Sequence, residues 1–82
     1  MTAYVLIQAR PDSKPLGEPL RAMPGVVSAE DLTGPYDAIA VANAESSRDL
    51  FDRILPEIRG LDGVTQALPA PLVRATGEKE AA

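Results

Sequence analysis

The chain has 82 residues, with 8 Lys+Arg against 12 Asp+Glu for a net charge of −4, and it contains neither cysteine nor histidine. Those absences exclude disulfide staples, thiolate metal or redox chemistry, and the commonest general base and metal ligand. The length fits one small domain that needs oligomerisation for extra stability, the acidic balance argues against direct nucleic-acid binding, and no apolar run reaches the ~18–20 residues of a membrane span.

The N-terminus lacks the basic region and cleavage site of a signal peptide, so a cytoplasmic protein is expected. Residues 2–9 (TAYVLIQA) are rich in β-branched and aromatic side chains and stop at Arg10-Pro11-Asp12, a turn signal. They form the first strand. Ala3, Val5 and Ile7 share one face, with Tyr4 and Leu6 on the other. Apolar residues at both parities predict a central strand with both faces covered.

Residues 12–22 (DSKPLGEPLRA) predict a short or irregular helix. Leu16, Leu20 and Met23 have helical spacing, and Asp12 or Ser13 is the expected cap. Gly17 and Pro19 weaken the helix, and Pro24-Gly25 ends it. Residues 26–33 form the second strand, Gly34-Pro35 a tight turn, and residues 36–43 the third strand. Alanines at 38, 40 and 42 make one small face, with Ile39 and Val41 on the bulkier one.

Residues 46–59 give the clearest helix. Ser46 and Asp49 have capping-box spacing. Leu50, Phe51, Ile54, Leu55 and Ile58 make one apolar stripe. Asp49 and Arg53 are an i,i+4 pair, Pro56 kinks the last turn, and Gly60 stops it. Residues 64–74 form the last strand. Pro69 and Pro71 are two apart and lose their N–H groups on the same side, which marks an edge. Residues 1–74 thus read as a single domain, and 75–82 as a polar tail.

Gly25-Val26-x-x-Ala29 and Gly63-Val64-x-x-Ala67 repeat, each after a helix and opening a strand. The chain is βαββαβ. Right-handed crossovers give an α+β, ferredoxin-like fold: a four-stranded antiparallel sheet of order 4-1-3-2 with two helices on one face. The other face carries Tyr4 and Leu6 and is expected to bury itself in a dimer or a ring of dimers.

The hairpin Thr33-Gly34-Pro35-Tyr36-Asp37 is the leading candidate site. Its glycine exposes backbone N–H groups to a carboxylate, Asp37 offers a charge to an ammonium, and Tyr36 walls a pocket. The competing reading is a plain hairpin in which Asp37 serves local backbone donors. Ser46 and Ser47 open a helix, where an anion is favoured, although capping alone explains serine there. Glu30, Asp31, Arg10 and Arg21 read as solvated surface charges. No nucleophile stands beside a base and no metal set is clustered, so neither catalysis nor a cofactor is expected.

AYVLIQ, PGVVSAEDLTGPYDAIA and LDGVTQALPAPLV, spread over residues 3–73, resemble the effector domain of the Lrp/AsnC family of transcription regulators. The most specific part is Gly25-Val26 with Asp31-Leu32-Thr33-Gly34-Pro35-Tyr36-Asp37. The resemblance implies binding of an amino acid or related metabolite, homo-oligomerisation, and indirect regulation of transcription. The sheet begins at residue 2, so the chain is similar to stand-alone versions without a helix-turn-helix, which are thought to sense an effector or to co-assemble with full-length regulators. The alternative is a small oligomeric, cofactor-independent monooxygenase of similar fold. A deep apolar cavity in each protomer favours that enzyme, and a polar pocket between subunits favours the sensor.

Overall fold

The computed structural model describes residues 1–71. Residues 72–74 of the expected last strand and the expected tail at 75–82 lie outside the described residues. The elements run β1 (Thr2–Ala9), α1 (Gly17–Arg21), β2 (Val26–Asp31), β3 (Ala38–Asn43), α2 (Ser47–Asp49), a π-helical segment (Leu50–Ile54), α3 (Leu55–Arg59) and β4 (Val64–Pro71). The sheet order is β2-β3-β1-β4, all antiparallel, which is the expected order read from the opposite edge.

The helices cover one face. Ala3, Val5 and Ile7 of β1 and Ala38, Ala40 and Ala42 of β3 are fully buried there, against Leu20, Leu50, Ile54, Leu55 and Ile58. Burying each of these leucines and isoleucines contributes ~1.5–3 kcal/mol. The alanines are therefore the floor on which the helices rest. Register places Tyr4 beside Val41, Leu6 beside Ile39, and Leu6 beside Leu68, on the face without helices. Tyr4 keeps 41% of its surface exposed, so the expectation of two covered faces on β1 holds for one face within the protomer.

Both short turns of the repeat use their glycine at positive φ, 90° at Gly25 and 97° at Gly63. In each, the valine N–H closes a four-residue turn, Val26 onto Met23 O (3.1 Å) and Val64 onto Leu61 O (3.2 Å). A residue that must adopt positive φ at the third turn position is best a glycine. The repeat is also longer than it first reads. Arg21 donates to the Ala29 carbonyl (2.7 Å) and Arg59 to the Ala67 carbonyl (2.9 Å), each eight residues on.

Hydrogen-bond parity shows what those arginines do. Leu32 N–H donates to Asp37 O, which makes the even positions of β2 the ones bonded to β3 and turns Ala29 outward. Likewise Ala44 N–H donates to Met1 O, so odd positions of β1 face β3 and even ones face β4. Ala67, Pro69 and Pro71 then lie on the outer side of β4, at the edge their prolines require.

Three details differ from expectation. The β2–β3 connection is the six-residue loop 32–37 rather than a tight turn. Phe51 is 49% exposed and leaves the apolar stripe, because the π-helical turns at 50–54 shift the phase of the helix ahead of Pro56. Helix α1 takes its cap from neither Asp12 nor Ser13: Asp31 Oδ1 accepts the N–H groups of Leu16 (2.7 Å) and Gly17 (3.1 Å).

Candidate functional site

The loop 32–37 leaves β2, crosses the end of β1 and enters β3. Leu32 N–H donates to Asp37 O (2.9 Å) and pinches it shut. Asp37 N–H donates to Ile7 O (2.8 Å), and Asp37 Oδ2 accepts the Ala9 N–H (2.7 Å). Gln8 Nε2 donates to Pro35 O (3.0 Å). Asp37 thus extends the β1–β3 ladder with its side chain, the local backbone service that the plain-hairpin reading requires. Its Oδ1 accepts no hydrogen bond among the described residues.

Thr33 and Gly34 sit exposed at the loop tip. Gly34 has φ 114°, and a Cβ there would meet nothing within 4 Å. Its conformation is the reason for glycine, since space is available. Tyr36 is half-buried. Ser46 lies beyond the far end of β3, about 20 Å of strand away from Asp37. There its hydroxyl accepts the Asp49 N–H (3.1 Å) and caps α2. One protomer therefore brings Thr33, Gly34, Tyr36 and Asp37 together and leaves Ser46 apart.

Two adjoining grooves open around the β1–α1 loop. The larger, about 920 Å³, runs past Arg10, Lys14, Glu18, Arg21, Asp31 and Asp62. The smaller, about 240 Å³, is walled by Arg10, Lys14, Asp31 and Asp37, with Pro11, Pro15, Leu16 and Leu32 as apolar surface. Arg10 is committed on the loop side, 3.3 Å from both Asp12 and Asp62. Its guanidinium is held above its usual pKa by the hydrogen bond to Asp62 and then by that to Asp12. These pairs are solvent-exposed and individually weak.

The smaller groove joins Asp37 to a loop that sequence reasoning passed over. Lys14 and Arg10 carry no sequence signal that separates them from ordinary surface charges, yet both line this groove. The available signal was Pro11 and Pro15 framing Arg10 to Leu16. Two fixed φ angles four residues apart hold this stretch out of the helix and make it a stiff rim. Asp31 is an exposed strand residue as expected, and its carboxylate in addition caps α1. Among the described residues no group of three or more acidic side chains is placed to hold a metal ion, and no helix is long and apolar enough to cross a membrane.

The Lrp/AsnC ligand binding domain matches residues 2–68 of the chain. Among solved structures, the Thermus thermophilus protein TTHA0845 is similar at 33% identity and a TM-score of 0.78, over 90% of this chain and 94% of that one. FFRP-DM1 is similar at 26% identity and a TM-score of 0.77, over 88% and 97%. The transcriptional regulator NMB0573 of Neisseria meningitidis, solved as a complex with L-Met, shares the fold at 20% identity and a TM-score of 0.75; the match covers 92% of this chain and 51% of the regulator. No curated protein matches the chain. With the family's domain spanning residues 2–68 and the expected sheet order in place, the chain belongs to the Lrp/AsnC ligand binding domain family and is a ligand-binding regulatory domain.

Proposed function

We propose that this chain binds an amino acid or a related small metabolite as an effector, assembles into a dimer or a ring of dimers, and regulates transcription indirectly. It acts in the cytoplasm as a single ligand-binding domain. Direct DNA contact is not part of this reading, since a net charge of −4 repels the phosphate backbone.

The observation that carries the reading is Asp37. One carboxylate oxygen locks the loop onto β1, and the other is unused among the described residues on the wall of a small groove. That leaves a fixed negative charge for an ammonium group, at the position the family resemblance indicates. The L-Met complex of the Neisseria regulator supports an amino acid as the ligand class. Ser46, beyond the far end of β3 and engaged in capping α2, falls outside this groove. Both grooves are charged and open, which supports a sensor over the enclosed apolar cavity of a monooxygenase.

Calorimetric titration of the full chain with the twenty amino acids tests this. At least one should bind, and Asp37→Asn should weaken it about ten- to a hundredfold, the cost of losing a charge-assisted hydrogen bond. Asparagine keeps an acceptor for the Ala9 N–H, so its melting curve should barely move. Asp37→Ala loses that acceptor as well and should cost about 1 kcal/mol of stability. Silence from all twenty amino acids, or unchanged affinity in a folded Asp37→Asn variant, overturns the reading.

A further inference from the structure

We infer that Arg21 is the lock on the outer edge of β2, and that the strand it shuts out is the β2 edge of a second copy of this chain. The inference is independent of the effector reading, because it concerns only where self-association can run.

Arg21 closes α1 and Arg59 closes α3. Each donates to an outward carbonyl of the edge strand that follows, at Ala29 (2.7 Å) and Ala67 (2.9 Å). An extended segment joins a sheet through such outward groups. Arg21 does not turn there for want of a carboxylate. A Cβ at Gly17 would lie 3.1 Å from its Nη1 and 2.8 Å from Asp31 Oδ2, so the two groups flank one spot, yet they form no ion pair. The guanidinium holds a main-chain carbonyl instead. The repeat carries a second edge device at the same spacing. β2 bulges at Val27, between the Val26–Ala42 and Ser28–Val41 pairs, and β4 at Thr65, between Val64–Ala9 and Gln66–Gln8. A bulge twists an edge away from a flat partner.

The two edges are not equally closed. On β4, Pro69 and Pro71 take outward positions and carry no N–H, so that edge stays shut without Arg59. On β2 the outward positions past the bulge are Ala29 and Asp31, whose N–H groups point away from β3. Among the described residues, Arg21 is the one side chain that holds a carbonyl of this edge.

A second β2 fits here through two-fold symmetry. With Ala29 of one copy opposite Ala29 of the other, each N–H donates to the carbonyl that Arg21 now holds, and Ser28 stands opposite Glu30. Centring on Glu30 would oppose two carboxylates, which is destabilising. Glu30 and Asp31 of both copies still lie near the contact, so its strength should rise with salt as they are screened.

The test is light scattering behind size exclusion on the parent, Arg21→Met and Arg59→Met in low and high salt, with circular dichroism to check folding, followed by amide hydrogen exchange. Arg21→Met should reach about twice the parent's mass, whatever that mass is, and more completely in high salt. Its Ala29 and Asp31 amides should exchange about tenfold more slowly in concentrated than in dilute solution. Arg59→Met should keep the parent's mass. Arg21→Gln takes the place of Arg21→Met if that variant does not fold. The lock is overturned by a folded Arg21 variant that keeps the parent's mass, by doubling without slower exchange at Ala29 and Asp31, or by doubling of Arg59→Met instead. Unfolding of both Arg21 variants makes the residue a prop of the fold and overturns it too.

Discussion

Two backbone N–H groups at the start of α1 find their acceptor fifteen and fourteen residues further along the chain, on Asp31 Oδ1. The nearer candidates are otherwise engaged: Asp12 pairs with Arg10, and the Ser13 hydroxyl donates to the Lys14 carbonyl. With only five residues, α1 cannot persist by propensity, and Pro19 survives in it only because the first-turn N–H groups have no partner within the helix. The bond to Asp31 therefore fastens α1 to the end of β2 and shapes one wall of both grooves. Gly17 makes the approach possible, since a Cβ there would lie 2.8 Å from Asp31 Oδ2. Asp31→Ala should cost about 1–2 kcal/mol in urea denaturation, as loss of a helix cap does. Gly17→Ala should also destabilise, although alanine is the better helix former by ~1 kcal/mol. An unchanged midpoint for Asp31→Ala would show that the cap is incidental. Strand alternation puts Asp31 on the same face as Ala29 and Glu30 on the other, but the contact stays hidden in the sequence because its partners are joined only by the tertiary fold.

The second helical stretch, Ser47 to Arg59, was far more legible, because its determinants are local. Ser46 caps Asp49 N–H, and Asp49 accepts from the Glu45 N–H (3.0 Å) and from Arg53 at 2.7 and 2.9 Å, as the i,i+4 spacing implied. Phe51 was misplaced since periodicity assumes 3.6 residues per turn, and the π-helical turns before Pro56 break that assumption. The strands and their order were readable from composition, prolines and the repeat, while the edge-covering arginines emerge only when hydrogen-bond parity is known. Asp49 also gives the helix a pH response. The hydrogen bond from Arg53 first, and that from the Glu45 backbone second, hold its carboxyl at about 2 against the ordinary 3.8. The folded chain thus takes up this proton less readily than the unfolded chain does. The stabilisation from Asp49 is complete above pH 3.8 and drains away as the pH falls towards 2. Melting the protein beside Asp49→Asn should give a constant gap in Tm above pH 3.8 that closes as the pH approaches 2. A gap independent of pH would mean that the ion pair is not formed in solution.

At the scale of the molecule, the sheet offers three routes to assembly, and two are obstructed. The β2 edge has its Ala29 carbonyl taken by Arg21, and the β4 edge has its Ala67 carbonyl taken by Arg59 and lacks the N–H groups of Pro69 and Pro71. Such devices discourage pairing through edges. What remains is the face without helices, where Tyr4, Leu6, Ile39, Val41 and Leu68 stand together. A small domain gains stability by burying such a surface, and a second copy of the same face is the simplest partner. Light scattering behind size exclusion should therefore give a mass of at least two 8.6 kDa chains at micromolar concentration. Tyr4→Glu places a charge at the centre of that contact while costing the single protomer little, because the side chain is already 41% exposed. It should shift the dissociation constant at least a hundredfold and leave circular dichroism unchanged. Phe51→Glu, on the helical side of the sheet at 49% exposure, should leave the mass as it was. If Phe51→Glu dissociates the assembly and Tyr4→Glu does not, the helical side is the interface. A wild-type chain that stays at 8.6 kDa at every concentration removes assembly altogether.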